Sequence, residues 1–283
     1  MKPSIKILII SILLASCMII QVTKVVCQNH SFMSINIRYD NPDDGINTWD
    51  KRKLDLANLI SNYHPDIIGT QEGLYHQLSY LNGYLQDYSM IGVGRDDGKN
   101  KGEFTSIYYD TLKYNCLKSE TFWLSKTPEK VSVGWDAALE RICTYGLFKN
   151  INSLEEIYVF NTHFDHMGSK ARKKSAKLII DFISKLSDES KIILMGDLNS
   201  IPESKPIKII TKYLADGASS LKNDSLEPIG TFNGFDEYMV LDKRIDYIFV
   251  KNVDIISYKH MVDRRVDGGF ISDHLPVIIE VSY

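Results

Sequence analysis

Residues 191–200, KIILMGDLNS, hold an Asp and an Asn where a short apolar run stops. Four consecutive apolar side chains are too few for a helix and suit a strand covered on both faces. Asp197 and Asn199 are two residues apart, so continued extended geometry points both to one side. A carboxylate and an amide oxygen there suit a hard cation or an attacking water. The same residues also suit a strand that ends in an Asx-turn, each side chain bonding its own backbone. The polar residues at other strand ends decide between the two.

Residues 157–166 (IYVFNTHFDH) repeat the pattern, an apolar run leading into Asn161, His163, Asp165 and His166. Residues 66–71 (DIIGTQ) run into Glu72, which faces either solvent or a ligand, and residues 32–37 (FMSINI) place Asn36 among apolar neighbours. Residues 245–250 (IDYIFV) carry Asp246 into an apolar strand. An ionised Asp is costly there unless paired, and a histidine is the natural partner. His274, in Ser272-Asp273-His274, and His163 are the candidates, for a functional pair or for a buried structural one. Arg141 precedes a further apolar run and suits a phosphate clamp or a surface ion pair. Residues 95–102 (RDDGKNKG) read as an exposed turn, with Glu103 directly after it. No Cys/His spacing fits a zinc site.

These side chains need elements to carry them. Helical spacing predicts a helix over 50–63, with Leu56, Leu59, Ile60 and Tyr63 on one face and Pro65 as its stop. A second is predicted over 169–186, with Ile179, Phe182, Ile183 and Leu186 on one stripe and a solvated Lys/Arg face opposite. Shorter helices are expected over 74–81 and 204–214, and Trp49 and Arg52 suit packing and capping. Strands are expected over 88–94, 104–109, 116–124, 142–148, 157–162 and finally 271–281. Their succession in the middle third without helices argues for antiparallel pairing. With 283 residues, 44% hydrophobic, and no linker or repeat, one mixed α/β domain over 28–283 is expected.

Residues 1–27 read as an export signal, Lys2 and Lys6 followed by an apolar run over 7–20. Cleavage after Cys27 gives a secreted or periplasmic protein, the favoured reading. Leu14-Ala15-Ser16-Cys17 also resembles a lipobox, which would anchor the chain to a membrane, although 18–20 continue the apolar run where a polar tether is usual. Setting aside Lys2, Lys6 and Lys24 leaves 30 basic against 36 acidic residues, so the formal charge moves from −3 to −6. That excludes a basic nucleic-acid glove, but a bound metal can still neutralise phosphate locally. Cys116 and Cys143 suit a disulfide in an oxidising compartment or two buried small hydrophobes.

Asn36, Gln71-Glu72, Asn161-Thr162-His163, Gly196-Asp197-x-Asn199, Asp246 and Ser272-Asp273-His274 occur in that order, each at or near a strand end. The set resembles the endonuclease/exonuclease/phosphatase superfamily, with its deoxyribonuclease-I-like fold. Trp49-Asp50-x-Arg52-Lys53, GDLNSIPES and SDHLPV are similar to the carbon-catabolite-repressor deadenylase and nocturnin branch and its exported bacterial relatives. The resemblance implies an α/β fold, a four-layer sandwich of two mostly antiparallel sheets packed face to face with helices outside. It implies that Asn36 and Glu72 hold Mg²⁺, with Mn²⁺ as a substitute and Asp273 close by through water. Asp197 would orient or deprotonate the attacking water, and Asn199 would bind the scissile phosphate or the metal. His274, paired with Asp246, would contact the phosphate; His163, braced by Glu103, would donate a hydrogen bond or proton. Arg141, Asn233 and Tyr108 are the implied substrate contacts, although a strand Tyr is usually core.

The implied reaction is in-line displacement at phosphorus, driven by positioning and charge neutralisation. The substrate expected first is a phosphodiester, as for a nuclease or a 3'-5' exonuclease-like phosphodiesterase. A phosphomonoesterase on a small sugar, inositol or nucleotide phosphate uses the same site. The reading from another class is a noncatalytic surface-binding module. No stable protein partner is implied, and a membrane is implied only if Cys17 is lipidated.

Overall fold

The computed structural model describes residues 29–220, 226 and 229–283. The leader over 1–27 and the lipobox at Cys17 lie outside the described residues. In chain order the strands are β1 (Asn29–Asn36), β2 (Ile67–Gly73), β3 (Tyr88–Ile91), β4 (Phe104–Asp110), β5 (Tyr114–Trp123), β6 (Ile142–Asn150), β7 (Glu156–His163), β8 (Lys191–Asp197), β9 (Ala215–Asp216), β10 (Asp246–Lys251), β11 (Asp254–His260) and β12 (Val277–Ser282). The α-helices are α1 (Trp49–Tyr63), α2 (Tyr75–Tyr84), α3 (Ser169–Ile183) and α4 (Lys205–Ile210). The strands form two six-stranded sheets, ordered β11-β12-β1-β2-β4-β3 and β5-β6-β7-β8-β10-β9. Pairing is antiparallel except between β1 and β2 and between β7 and β8. Parallel neighbours need a crossover, and α1 and α3 supply it.

The two-residue period of each strand sorts side chains into layers. Met33, Ile35, Ile68 and Tyr108 pack on Leu56, Ile60 and Leu78 of α1 and α2. Their neighbours Phe32, Ile67 and Ile107 point the other way and meet Val159, Ile193 and Ile248 between the sheets. Phe160, Leu194 and Phe249 on the far side are covered by Ile179 and Ile183 of α3 and Ile207 of α4. Each such side chain contributes roughly 1.5–3 kcal/mol on burial. The result is the expected sandwich, helix layer, two mostly antiparallel sheets, helix layer.

One polar stitch crosses the inter-sheet core. Asn161 Nδ2 donates to Thr70 O at 2.9 Å and to Ser106 O at 2.8 Å, and its Oδ1 accepts from Gln71 Nε2 at 2.7 Å. The close approach depends on Gly69, where a Cβ would lie 2.8 Å from the Asn161 amide. Asn161 and Gln71 therefore hold the two sheets in register beneath the site. Arg52 does not cap α1 as expected. It is fully buried and donates to the carbonyls of Ile37, Arg38, Asn47 and Ile271, tying together the loops at one rim.

Several boundaries differ from expectation for local reasons. The strand expected over 88–94 stops at Ile91 because Gly92 turns to φ +129. α3 ends at Ile183, beyond which Lys185 N and Leu186 N bond three residues back, to Phe182 O and Ile183 O. Residues 271–276 are irregular, and β12 begins after Pro276, which has no N–H for a ladder. β11, an edge strand with alternately exposed side chains, has no counterpart among the expected strands. Cys116 and Cys143 are free thiols; they stand opposite Phe148 and Phe122, at distant ends of the β5–β6 ladder.

Candidate active site

β1, β2, β7 and β8 end at one rim because each pair runs parallel. The register sets His163 beside Asp197, and Asp246 on the other side of Asp197, so three expected residues form a row across β7, β8 and β10. The segment before β12 brings Asp273 and His274 to the same place. The cleft, about 570 Å³, gathers Glu72, Glu103, Arg141, His163, Asp197, Asn199, Asp273 and His274 from the expected set.

Backbone conformation shapes this row. Gly196 has φ +143, and a Cβ there would lie 1.9 Å from Thr162 O, so only glycine lets β8 approach β7 just before Asp197. Glu72 and Asn199 both take left-handed backbone, φ +64 and φ +45. Asn tolerates this; for Glu it stores roughly 1–3 kcal/mol of strain, of the kind found at functional sites. The register shift in β2 between Thr70 and Gly73 accompanies it. The Glu72 carboxylate is then held by Asn36 Nδ2 on Oε1 at 2.9 Å and by Tyr39 N on Oε2 at 3.1 Å.

Asp197 meets both of its expected descriptions. Oδ1 accepts from Asn199 N at 2.8 Å, an Asx-turn, while Oδ2 faces Asn36 Nδ2 at 3.2 Å, His163 Nε2 at 3.4 Å and His274 Nε2 at 3.8 Å. Burial, reinforced by Asp246 and Glu72 and opposed by His274, pushes Asp197 up to about 7. Burial likewise pushes Asp273 up to about 6, with Glu72 adding and His274, Arg38 and Arg52 opposing. His274 Nδ1 lies 2.8 Å from Asp246 Oδ2. Burial opposes its charge, but Asp246 and Asp197 outweigh burial and hold the ring well above the usual histidine range.

His163 behaves oppositely: burial, with Arg141 and Arg95 adding, keeps it well below that range and neutral. Asn199 Nδ2 donates to Phe164 O at 3.0 Å and faces His163 Nε2 at 3.1 Å. Nε2 is therefore the acceptor, and Nδ1 carries the proton towards Glu103 Oε2, 3.9 Å away. That separation exceeds a hydrogen bond. The main partner of Glu103 is Arg95, which donates Nη1 to Oε2 at 2.6 Å and Nη2 to Oε1 at 2.9 Å. Arg95 is 8% exposed, contrary to the exposed turn expected over 95–102.

The donor set fits a hard divalent cation. Glu72, His163 and Asp197 present ligand atoms within 4.8 Å of one another, and the raised carboxylates mark a buried cluster short of positive charge. Asp197, Asp246 and His274 also cluster, but His274 Nδ1 is engaged by Asp246, which makes them an acid–histidine pair. Asn36 also has a role that its sequence setting does not show. Its Oδ1 accepts from Arg38 N at 3.0 Å and its Nδ2 faces both carboxylates, so in this arrangement it orients Glu72 and Asp197.

Arg141 is 5% exposed, with Nη2 3.0 Å from His166 Nδ1 and Nε 3.4 Å from Asp165 Oδ2, while Nη1 lines the cleft without a hydrogen-bond partner. Two implied substrate contacts are not on the cleft wall. Tyr108 is 1% exposed and lies on the helix side of β4, its hydroxyl 3.4 Å from Leu78 O, because its position along the strand has the opposite parity. Asn233 donates Nδ2 to Ser272 O at 3.0 Å and accepts from Phe235 N at 2.8 Å, so it props the segment carrying Asp273 and His274. Arg38, Tyr39, Leu139, His166, Phe232, Lys243 and Ile245 complete the lining, with Phe232 edge-on to His274 at 5.1 Å. Nearness in sequence to Asn36 and His163 is the available signal for Arg38 and His166. Phe232 and Lys243 lie in irregular sequence and carry none.

Acids, an Asp-paired histidine and a buried guanidinium at one rim of this sandwich suit the hydrolysis of phosphate esters. The chain matches the Endonuclease/Exonuclease/phosphatase family over residues 33–274 and belongs to that family. It is similar to a mannosyl-6-phosphatase of Bacteroides thetaiotaomicron VPI-5482, with 36% identity and a TM-score of 0.86 over 90% of this chain and 100% of that one. It is 29% identical over 268 residues to the uncharacterized protein L388 of Acanthamoeba polyphaga mimivirus, covering 82% of this chain and 91% of that one. The human nocturnin catalytic domain shares the fold, with 17% identity and a TM-score of 0.72 over 90% of this chain and 93% of that one.

Proposed function

We propose that this chain is a divalent-metal-dependent phosphomonoesterase that removes phosphate from a phosphorylated sugar. The observation that carries the reading is Asp197, at about 7, facing both histidines in a cleft that Arg141 also lines. A carboxylate near 7 suits a general base at neutral pH, so Asp197 takes the proton of the attacking water as its oxygen bonds phosphorus and the ester P–O bond breaks. His274, kept protonated by Asp246, and Arg141 bind the phosphoryl oxygens as charge develops on them. Asn199 holds His163 in one tautomer, and with both amide hydrogens engaged it acts on phosphate only through that ring. Mg²⁺, with Mn²⁺ as a substitute, would be held by Glu72, with Asp273 nearby, and would supply Lewis-acid neutralisation of the phosphate.

The monoester reading is supported by similarity along 90% of this chain to a protein named for mannosyl-6-phosphatase activity. The diester reading, expected first from sequence, has one observation in its favour. A groove of about 590 Å³ beside the cleft shares Asn199 with it and is lined by Lys170, Arg172, Lys173 and Lys205 and by no acidic residue. A longer phosphodiester could lie along it. The test offers purified protein mannose 6-phosphate, p-nitrophenyl phosphate, bis-p-nitrophenyl phosphate and oligoadenylate, with Mg²⁺ or with EDTA. Monoester turnover that needs metal is expected. Turnover confined to diesters would install the second reading, and no turnover of any of them would remove both. The leader over 1–27 would place this activity outside the cytoplasm, which fractionation of the producing cells checks.

A further inference from the structure

The β3–β4 loop carries a buried cation that the chemistry above does not use. Arg95 grips both oxygens of Glu103, at 2.6 and 2.9 Å, and the loop is built to keep it there. Arg95 N donates to Glu103 O at 3.1 Å, closing the loop behind the pair. Trp123 Nε1 of β5 donates to Arg95 O at 2.8 Å, and Gly98 packs on the Trp123 ring. Asp97 caps Lys99 N at 2.7 Å and Lys101 N at 3.0 Å. Burying an Arg and a Glu is costly, and a two-point pair is the geometry that offsets it.

The Glu103 oxygen nearest Arg95 Nη1 also faces the site. Oε2 lies 3.9 Å from His163 Nδ1 and 4.0 Å from Arg141 Nη1. Asn199 makes His163 Nε2 the acceptor, so the Nδ1 proton points at this oxygen. Arg95 thus stands behind a carboxylate oxygen that faces both groups. We propose that Arg95 is a positioning residue: through its two-point pair with Glu103 it fixes the oxygen that faces the Nδ1 proton of His163 and the guanidinium of Arg141, and so holds both groups in place at the cleft. Its effect on turnover rests on the phosphoesterase reading.

The test compares the full chain with Arg95→Met, Arg95→Lys, Glu103→Gln and the Arg95→Met/Glu103→Gln double variant. Hydrolysis of p-nitrophenyl phosphate with Mg²⁺ and melting temperature are measured for each. Ring ¹H–¹⁵N spectra of metal-free protein, with His163 identified by its absence in His163→Gln, report the tautomer. Arg95→Met should lower kcat by roughly 10- to 100-fold, the usual effect of removing a partner that orients a site residue, with KM within about twofold. The double variant should be no slower than the slower single variant, because both act through one carboxylate. Arg95→Lys keeps the charge without the fork and should fall between. The Nδ1–H tautomer that Asn199 selects should persist in both proteins, while the His163 Nδ1–H signal should shift in Arg95→Met because the carboxylate it faces is released.

Wild-type kcat in Arg95→Met, or a double variant slowed by the product of the single effects, overturns the proposal. If Arg95→Met does not fold, Arg95→Lys decides: an unchanged kcat with an unshifted His163 Nδ1–H signal overturns it. Absence of wild-type turnover would sink the phosphoesterase reading alone, since the ring spectra need no substrate and still decide the positioning role.

Discussion

Asp246→Asn preserves shape and removes one charge from the centre of the site. Asp246 Oδ2 lies 2.8 Å from His274 Nδ1, its Oδ1 is buried without a partner, and the residue stands directly opposite Asp197 in the β8–β10 ladder. A hydrogen bond to a charged group contributes about 1.5–3 kcal/mol. Losing that much from the state in which His274 binds the phosphoryl oxygens lowers kcat roughly 10- to 150-fold. The pH dependence should move as well. Without Asp246 the His274 ring loses its largest support for a proton, and Asp197 loses a neighbour that raises it. Both groups then titrate lower, so the bell-shaped kcat profile shifts to acid and the deficit is greatest above pH 7. The assay is kcat from pH 5 to 9 with saturating Mg²⁺, beside a melting curve to show that the variant is folded. A folded variant with wild-type kcat at pH 8 and an unshifted bell would refute the assignment of His274 as a charged phosphate contact.

Asn161→Ala removes the stitch between the sheets and leaves Gln71 Nε2, Thr70 O and Ser106 O without it, so urea unfolding should show a loss of about 3 kcal/mol. Tyr108→Phe should leave kcat and KM within twofold of wild type, because the hydroxyl lies on the helix side of β4; a tenfold change would contradict its placement. Without metal, Asp197 at about 7 and Asp273 at about 6 bind protons more tightly in the folded than in the unfolded chain. Their stabilising effect is complete below the unfolded carboxylate pKa of about 4 and is lost as pH rises through 6 and 7. The melting temperature in EDTA should therefore fall between pH 5 and 8, and added Mg²⁺ should raise it most at pH 8.

The gathering of His163, Asp197, Asp246 and His274 is legible in sequence because each interrupts or ends an apolar run, and parallel strands ending at polar residues must end at a common rim. The same runs mark the strands and helices, while the four-layer sandwich is what the family resemblance implies. What escapes is decided by neighbours distant in sequence. That the Asn36 amide orients Glu72 and Asp197 shows only once those two carboxylates are seen against its Nδ2. Tyr108 and Ile107 differ by one position, and only the layer each faces shows that Tyr108 is core. Arg95 lies in turn-rich sequence typical of solvent, yet Trp123 and Glu103 draw the loop inward. β11 is a sheet edge with half its side chains in solvent, so its apolar signal is weak.

The most direct measurement compares phosphate release from p-nitrophenyl phosphate by wild type and by Asp197→Asn, each with Mg²⁺ and with EDTA. Wild type should turn over only with metal, and Asp197→Asn should fall by at least two to three orders of magnitude, on the scale of losing a general base, with its melting temperature retained. Asp197→Asn matching wild type would show that the row of His163, Asp197 and Asp246 at the rim is not where the water is activated.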